Sequence, residues 1–253
     1  MDDIILDYYN SYDEDGRLFR DKVHQMEYIT TMNYFKKLFI PGSNILDACA
    51  GTGNYAFTLA ELGHRVTAGD ITLHNIEIMK KKQCDNPVLQ DIYTGNVLDL
   101  SCFRDEIFDI VLCMGAFYHL SNDDRKKALA ECLRILKPKG LLVISYINTM
   151  ATTMVSVADK LENMDDVVSW YHTKENSLFL HMTPIEIEQL SKEYNTEIVS
   201  HIATDGIGYL IKNKVNEASN ENYDKWVQFH LSTCEDRSLL GYSLHGLIVL
   251  MKV

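Results

Sequence analysis

The sequence has few basic residues for its acidic content. Its 253 residues include 36 Asp and Glu against 24 Lys and Arg, which gives a formal net charge of −12. Nucleic-acid-binding proteins usually carry a basic surface that neutralises phosphates, so this balance disfavours DNA or RNA as a partner. An acidic excess is typical of a solvated surface and also suits cationic substrates.

Patterns of metal centres and disulfide frameworks are absent. The six cysteines include no C-x-x-C pair, and three of them lie in apolar runs where a thiol packs as a small hydrophobe. None of the nine histidines falls in an H-x-x-x-H or H-E-x-x-H pattern. We therefore expect no metal and a reducing, cytoplasmic environment.

Long hydrophobic runs are missing as well. No apolar run approaches the ~20 residues that a membrane helix needs, and the chain does not open on a basic segment followed by an apolar one. We expect no membrane partner. A hydrophobic content of 46% is ample for a continuous core, and we expect residues 1–253 to form a single domain.

Apolar strand-like runs alternate with helical patterns between about residues 44 and 147, which predicts βαβ units and a parallel sheet. Helices are expected near 54–62, 74–82 and 123–136, and one longer helix over 149–170. Strands are predicted at 44–49, 65–70, 92–96, 108–114, 141–147, 196–204 and 244–253.

Three segments lie outside this alternation. Residues 1–40 combine acidic and aromatic residues with an amphipathic run, and we expect them to form a lid across the mouth of a binding site. Two further segments, about 149–183 and 206–241, are predicted to be cap insertions. Their aromatic residues suit enclosing an organic substrate, or else they bury the caps against the sheet.

The most informative motif is Asn44-Ile-Leu-Asp-Ala-Cys-Ala-Gly-Thr-Gly-Asn54. A short apolar strand ends at Asp47, and Gly51 and Gly53 then open a helix. Glycines let the backbone turn tightly beside a ligand, and a helix N-terminus presents free N–H groups. Asp70 stands at the tip of the next strand, where a carboxylate accepts ribose hydroxyls. The glycine loop and Asp70 together predict an adenosine cofactor. Asp47 suits a cationic ligand.

The run from about residue 45 to 148 resembles the class I S-adenosylmethionine-dependent methyltransferases. That family's first loop reads roughly D-x-G-x-G-x-G, and here Asp47-Ala-Cys-Ala-Gly-Thr-Gly53 places Cys49 at the first glycine. Asp70 matches the acid after the second strand. Gly95-Asn-Val-Leu-Asp99 matches the segment beside adenine, where the role belongs to either Asn96 or Asp99.

Two later runs extend the resemblance. Phe108-Asp-Ile-Val-Leu-Cys-Met-Gly-Ala-Phe-Tyr-His-Leu120 is similar to an F-D-x-V run that ends in H-L in small-molecule members, and Leu136-Lys-Pro-Lys-Gly140 follows the next helix. The first 40 residues are more loosely similar to the leader that forms a lid in such enzymes. In the resemblance, His119 lies beside the transferred methyl group, either as a general base or as part of the pocket wall.

The resemblance implies an α/β, Rossmann-like fold with a seven-stranded, mostly parallel sheet, an antiparallel last strand inserted beside the sixth, and a helical cap. It implies S-adenosylmethionine as cofactor. The residues expected to bind this cofactor are Tyr28, Asp47, Ala48, Gly51, Gly53, Asn54, Asp70, Ile71, Asn96, Val97, Met114 and Gly115.

The function expected from these features is in-line methyl transfer to a small molecule, with the acceptor atom and the oligomeric state left open. The N-P-P-Y tetrapeptide and the Pro-Cys nucleophile of DNA methyltransferases are absent, which agrees with the acidic charge. Two alternatives remain. One is an NAD(P)-dependent oxidoreductase that uses the same glycines, although a Tyr-x-x-x-Lys motif is lacking. The other is a non-catalytic module that binds S-adenosylmethionine.

Overall fold

The computed structural model describes residues 8–9, 12–173 and 178–253. A seven-stranded sheet runs through it in the order β3-β2-β1-β4-β5-β7-β6. Strands β1 to β5 are parallel, and β7 lies between β5 and β6, antiparallel to both. The predicted fold, including the inserted antiparallel last strand, is confirmed. The strands are β1 Asn44–Asp47, β2 Arg65–Asp70, β3 Asp91–Thr94, β4 Phe108–Cys113, β5 Leu136–Ile147, β6 Thr196–Ala203 and β7 His245–Lys252.

Ten α-helices within the described residues surround this sheet. They are α1 Lys22–Leu38, α2 Asn54–Glu61, α3 Leu73–Asp85, α4 Asn122–Ile135, α5 Thr149–Asp159, α6 Met164–Thr173, α7 Pro184–Ser191, α8 Lys212–Glu217, α9 Asn220–Thr233 and α10 Arg237–Leu240. Short 3₁₀ helices cover Arg17–Phe19, Phe117–His119, Leu161–Asn163 and Gly208–Ile211.

The core lies on both faces of the sheet because successive strand residues point to opposite sides. Ile45 packs with residues of α1, α2 and α3 on one face, whereas its neighbour Leu46 packs with residues of α4 and α7 on the other. Both residues are fully buried. This two-sided burial leaves the carboxyl ends of the parallel strands as the open edge.

Two sequence predictions on element boundaries are wrong. β5 begins at Leu136, directly after α4, and not at residue 141. The helix predicted over 149–170 is two helices, α5 and α6. They separate at Lys160, whose φ of −144° and ψ of 48° are outside the helical region. The periodicity of apolar residues continues across this break, so the sequence pattern did not indicate where the first helix ends.

The N-terminal helix and the second predicted cap pack on each other. Val23 and Met26 of α1 share an apolar cluster with Val215, Tyr223 and Val227 of α8 and α9. The parts of the predicted lid at 1–7 and 10–11, and of the first predicted cap at 174–177, lie outside the described residues. Across the residues that are described, no helix has both the length and the apolar content to cross a bilayer.

Candidate active site

The carboxyl ends of β1, β2 and β4 open into a cavity. This is the position at which open α/β sheets bind ligands. Tyr9, Glu14 and Arg17, which precede α1, and His245 at the start of β7 also line it. Most residues selected from the sequence line it, namely Asp47, Ala48, Gly51, Asn54, Asp70, Ile71, Asn96, Val97, Met114, Gly115 and His119.

Tyr28 and Gly53 are the two selected residues that do not line the cavity. The Tyr28 hydroxyl lies 2.8 Å from Thr58 Oγ1, and its ring stacks on Tyr55 with 5.4 Å between centroids. Tyr55 is the aromatic residue of this pair that faces the cavity. Gly53 caps α2 with a φ of 86°, and a Cβ there would lie 2.9 Å from Phe57 Cδ2. Tyr28 therefore supports the wall, and Gly53 shapes the loop behind it.

Cys49 stands where the resemblance expects a glycine. Its backbone is not among those with a positive φ, in contrast to Gly51 with a φ of 55°. A side chain is therefore tolerated at residue 49, and the departure from the family pattern leaves the loop conformation intact.

Asp70 connects the glycine loop to the end of β2. Its Oδ2 accepts the Gly51 N–H at 2.9 Å, and its Oδ1 accepts the Thr72 N–H at 2.8 Å and the Asn75 amide at 3.2 Å. Burial raises the pKa of Asp70, and these donors oppose the rise. Because Oδ2 receives one bond from the described residues, it keeps a lone pair for a ligand hydroxyl.

Asp47 is a buried carboxylate with an unsatisfied oxygen. The residue is 2% exposed, and its Oδ1 has no hydrogen-bond partner among the described residues. Burial, and then the nearby Asp70, raise its pKa to about 7. An unpaired buried carboxylate is costly unless a cation meets it. Asp47 therefore fits the positively charged end of a ligand in this cavity.

Asn96 and Asp99 were alternatives for the residue beside adenine. Asn96 lines the cavity, and its Oδ1 accepts the Leu98 N–H at 2.9 Å. Asp99 is exposed outside the cavity lining and accepts the Ser101 N–H at 3.1 Å. Of the two, Asn96 is the one in a position to contact a cavity ligand.

His119 is held in one tautomer at the end of β4. Its Nδ1 lies 3.0 Å from the Leu178 carbonyl oxygen, and its Nε2 lies 3.0 Å from the Tyr9 hydroxyl. Burial lowers the pKa of His119, which favours the neutral ring. Because a carbonyl only accepts, Nδ1 carries the hydrogen and Nε2 accepts from Tyr9. His119 therefore presents a basic nitrogen, directed at Tyr9.

A buried charge cluster also faces the cavity. Arg17 donates to both carboxylate oxygens of Glu27, at 2.8 and 3.1 Å, and its Nε donates to Glu14 at 3.3 Å. Burial alone would raise the pKa of Glu27, but the adjacent Arg17 and His245 lower it to about 2. Glu27 is therefore ionised throughout the physiological range.

His245, the first residue of β7, extends this cluster. Its Nδ1 lies 2.6 Å from Asp205 Oδ2 and 3.6 Å from Glu27 Oε2. Burial opposes protonation, yet Glu27 and Asp205 raise the pKa of His245 above its ordinary value. Sequence reasoning did not select Asp205 or His245. The available signal was that each sits at the end of a predicted strand, at the edge where the cavity opens.

The cavity is acidic overall. Glu14, Glu27, Asp47 and Asp70 line it, against Arg17, His119 and His245 as the basic residues. This balance suits a cationic or neutral ligand better than an anionic one. Within the described part of the chain, no group of three or more His, Cys, Asp or Glu side chains is arranged to hold a metal ion.

Comparison with known proteins finds similarity over part of the sequence. A family model described as a methyltransferase domain matches residues 46–144. Ubiquinone biosynthesis O-methyltransferase of Xanthomonas euvesicatoria pv. vesicatoria is 29% identical over 124 residues, covering 49% of each chain. Demethylmenaquinone methyltransferase of Renibacterium salmoninarum is 36% identical over 106 residues, covering 42% of each. The matched region thus spans about half the length of these curated relatives.

Solved structures are similar over most of the chain. A protein of Pyrococcus horikoshii OT3 has a TM-score of 0.59 at 16% identity, covering 96% of this chain and 100% of its own. A putative sarcosine dimethylglycine methyltransferase from Galdieria sulphuraria has a TM-score of 0.54 at 17% identity, covering 90% and 85%. At this identity the likeness concerns the fold. The chain thus carries a region, residues 46–144, that matches a methyltransferase domain, within a fold similar to that of solved S-adenosylmethionine-dependent methyltransferases.

Proposed function

We propose that the protein methylates a hydroxyl group of a small aromatic molecule. The observation that carries the proposal is His119, a neutral histidine whose basic Nε2 lies in the cavity wall at the end of β4. Methylation of a hydroxyl requires removal of its proton, whereas a neutral amine or a thiolate needs no base in the chemical step. The names of relatives in ubiquinone biosynthesis, which are O-methyltransferases, support the same acceptor atom.

The cofactor half of the cavity belongs to β1, β2 and the loops that follow them. Asp70 accepts a ribose hydroxyl through Oδ2, and Asp47 pairs with the ammonium group of the methionyl end. The other residues proposed to border the cofactor are Ala48, Gly51, Asn54, Ile71, Asn96, Val97, Met114 and Gly115, all of which line the cavity. The fit is best at Asp47, where a ligand cation would satisfy the unpaired Oδ1.

The acceptor half is formed by Tyr9, Tyr118 and His119 on one side and by the Arg17, Glu27 and His245 cluster on the other. Aromatic walls suit a flat organic ring. The cations of the cluster are already paired with Glu27 and Asp205, so they offer little net attraction to an anionic acceptor. We propose that residues 1–40 and the two cap segments enclose this half within a single domain.

S-adenosylmethionine supplies a methyl group that its sulfonium makes electrophilic. The chain's own contribution is placement, exclusion of water and removal of one proton. His119 accepts that proton at Nε2, while its Nδ1–H remains bound to the Leu178 carbonyl and keeps the ring in orientation. Burial of His119 at 4% exposure limits competition from water.

The test uses the full chain with S-adenosylmethionine and three matched sets of aromatic acceptors: phenols, anilines and thiophenols. Mass spectrometry of the products identifies the methylated atom, and calorimetry with S-adenosylhomocysteine measures binding separately. We expect methyl ethers, formed at a rate that His119→Gln lowers. Binding without any methylated product would instead identify a non-catalytic module. Products confined to anilines or thiophenols would contradict the hydroxyl assignment.

A further inference from the structure

We propose that Tyr9 is a second catalytic residue, which relays the proton of the acceptor hydroxyl to His119. The proposal rests on the function proposed above and adds a residue to its chemistry. It follows from one juxtaposition. Tyr9 lines the cavity, and its hydroxyl, 3.0 Å from His119 Nε2, is hydrogen-bonded to the nitrogen that has to receive the proton.

The hydrogen-bond arrangement leaves His119 without another basic site. Its Nδ1 carries a hydrogen that is donated to the Leu178 carbonyl at 3.0 Å, so Nε2 is the one nitrogen with a lone pair. That lone pair accepts from Tyr9. An acceptor molecule therefore reaches the base through the Tyr9 hydroxyl, which also shares a hydrogen bond with Tyr118. A phenol oxygen has two lone pairs, so one bond to Tyr118 leaves it able to accept from a ligand.

Aromatic packing holds the Tyr9 ring in this position. Its centroid lies 5.1 Å from that of Tyr8, 6.3 Å from that of Tyr12 and 5.6 Å from that of His119, with the rings near perpendicular. Edge-to-face contacts of this kind stabilise a ring orientation. The hydroxyl is thus positioned by packing and does not depend on a ligand for its direction.

Tyr9 keeps its proton in this environment. Burial raises the pKa of Tyr9 well above its ordinary value, and the titratable groups around it are Tyr118, Glu14 and Arg17. Of these, Tyr118 and Glu14 raise its pKa further and Arg17 opposes them. A neutral phenol is both donor and acceptor, as a relay requires. The tyrosine returns to its neutral state within the step.

The acceptor oxygen forms a bond to the methyl carbon while the carbon–sulfur bond breaks and its electron pair stays on sulfur. The acceptor proton passes to the Tyr9 oxygen, and the Tyr9 proton passes to His119 Nε2. The products are a methyl ether, the thioether form of the cofactor and an imidazolium, which then releases its proton to solvent.

The variant Tyr9→Phe tests the relay because it removes the hydroxyl and keeps the ring. We expect it to lower the single-turnover rate of hydroxyl methylation by about 10²-fold, with the affinity for S-adenosylhomocysteine within threefold of the wild type. Tyr12→Phe is the matched control. It deletes a hydroxyl from the same aromatic group, where the ring stacks on Tyr8, and should leave the rate unchanged.

A proton inventory on the wild type gives a second measurement that does not depend on a variant. Rates measured across H₂O and D₂O mixtures should curve as expected for two protons in motion, and should become linear in Tyr9→Phe. A linear wild-type inventory would overturn the relay, as would an unchanged rate in Tyr9→Phe. A faster Tyr9→Phe enzyme would show instead that Tyr9 blocks His119. Wild-type protein that methylates no hydroxyl would mark failure of the proposed function itself.

Discussion

Asp47→Asn is expected to stabilise the ligand-free protein while weakening cofactor binding. The pKa of Asp47 is about 7, compared with an ordinary value of 3.8. The difference is about three pH units, at about 1.36 kcal/mol each, so the buried charge costs the folded state about 4 kcal/mol above neutral pH. The folded state holds the proton more tightly, and stability therefore falls as pH rises from 3.8 to about 7.

Asparagine at residue 47 removes this loss of stability because its side chain carries no charge. Its amide also lacks a full set of partners beside the unsatisfied position of Oδ1, which costs about 1–3 kcal/mol. We expect the variant to be more stable than the wild type by about 1–3 kcal/mol at about pH 8. The difference in unfolding free energy between Asp47→Asn and the wild type should change by about 4 kcal/mol between about pH 4 and pH 8. Urea unfolding at several pH values measures both quantities.

Cofactor binding should respond in the opposite sense. Loss of a charge-assisted bond to the ammonium group, worth about 1.5–3 kcal/mol, should weaken S-adenosylhomocysteine binding about 10- to 100-fold. In the wild type, affinity should fall as pH drops below about 7, because Asp47 then takes up a proton. Calorimetry across this pH range measures the effect.

The control for these measurements is Asp85→Asn, at an exposed position on α3. It should change neither the pH dependence of stability nor cofactor affinity. If Asp47→Asn is less stable than the wild type at about pH 8, by an amount that does not vary with pH, then Asp47 is not a buried charge awaiting a ligand, and the reasoning is refuted.

Three further predictions concern the same cavity. Asp70→Asn should weaken S-adenosylhomocysteine binding more than tenfold and speed hydrogen exchange of the Gly51 amide, because both depend on the carboxylate. His119→Ala should lower the maximal rate by about 10²–10⁴ with cofactor affinity nearly unchanged. The maximal rate of the wild type should fall only at pH below 6.5, because burial lowers the pKa of His119. Near-full activity of His119→Ala would exclude His119 as the base. Gly53→Ala should lower the melting temperature, because its φ is 86° and its Cβ would lie 2.9 Å from Phe57; an unchanged melting temperature would contradict that strain.

The fold and the proposed cofactor half of the cavity could be predicted because their signals are local. Strands β1, β2 and β4 are short apolar runs, and a residue just beyond the carboxyl end of such a strand lies at the open edge of the sheet. Asp47, Asp70 and Met114 were selected on this basis and all line the cavity. No contact between distant segments had to be known to find them.

Apart from His119, the acceptor half could not be predicted in the same way. Glu27, Asp205 and His245 come from three distant segments, and their pairing depends on how α1 crosses the sheet. The contacts of Tyr28 could not be predicted either, although its secondary structure could. Its place in an amphipathic helix was evident, but the phase of α1 turns it toward Thr58 and Tyr55, away from the cavity. Such details follow from packing and not from residue pattern.

The insertion of β7 between β5 and β6 sets the order in which the site can be assembled. The proposed cofactor half uses strands and loops within about 70 consecutive residues, whereas the acceptor half includes His245, which β7 carries and which contacts Glu27 of α1. Contacts between distant residues form late in folding because they close long loops. A growing chain therefore has the parts of the proposed cofactor site before β7 is made, and gains His245, the last residue of the acceptor half, when that strand enters the sheet.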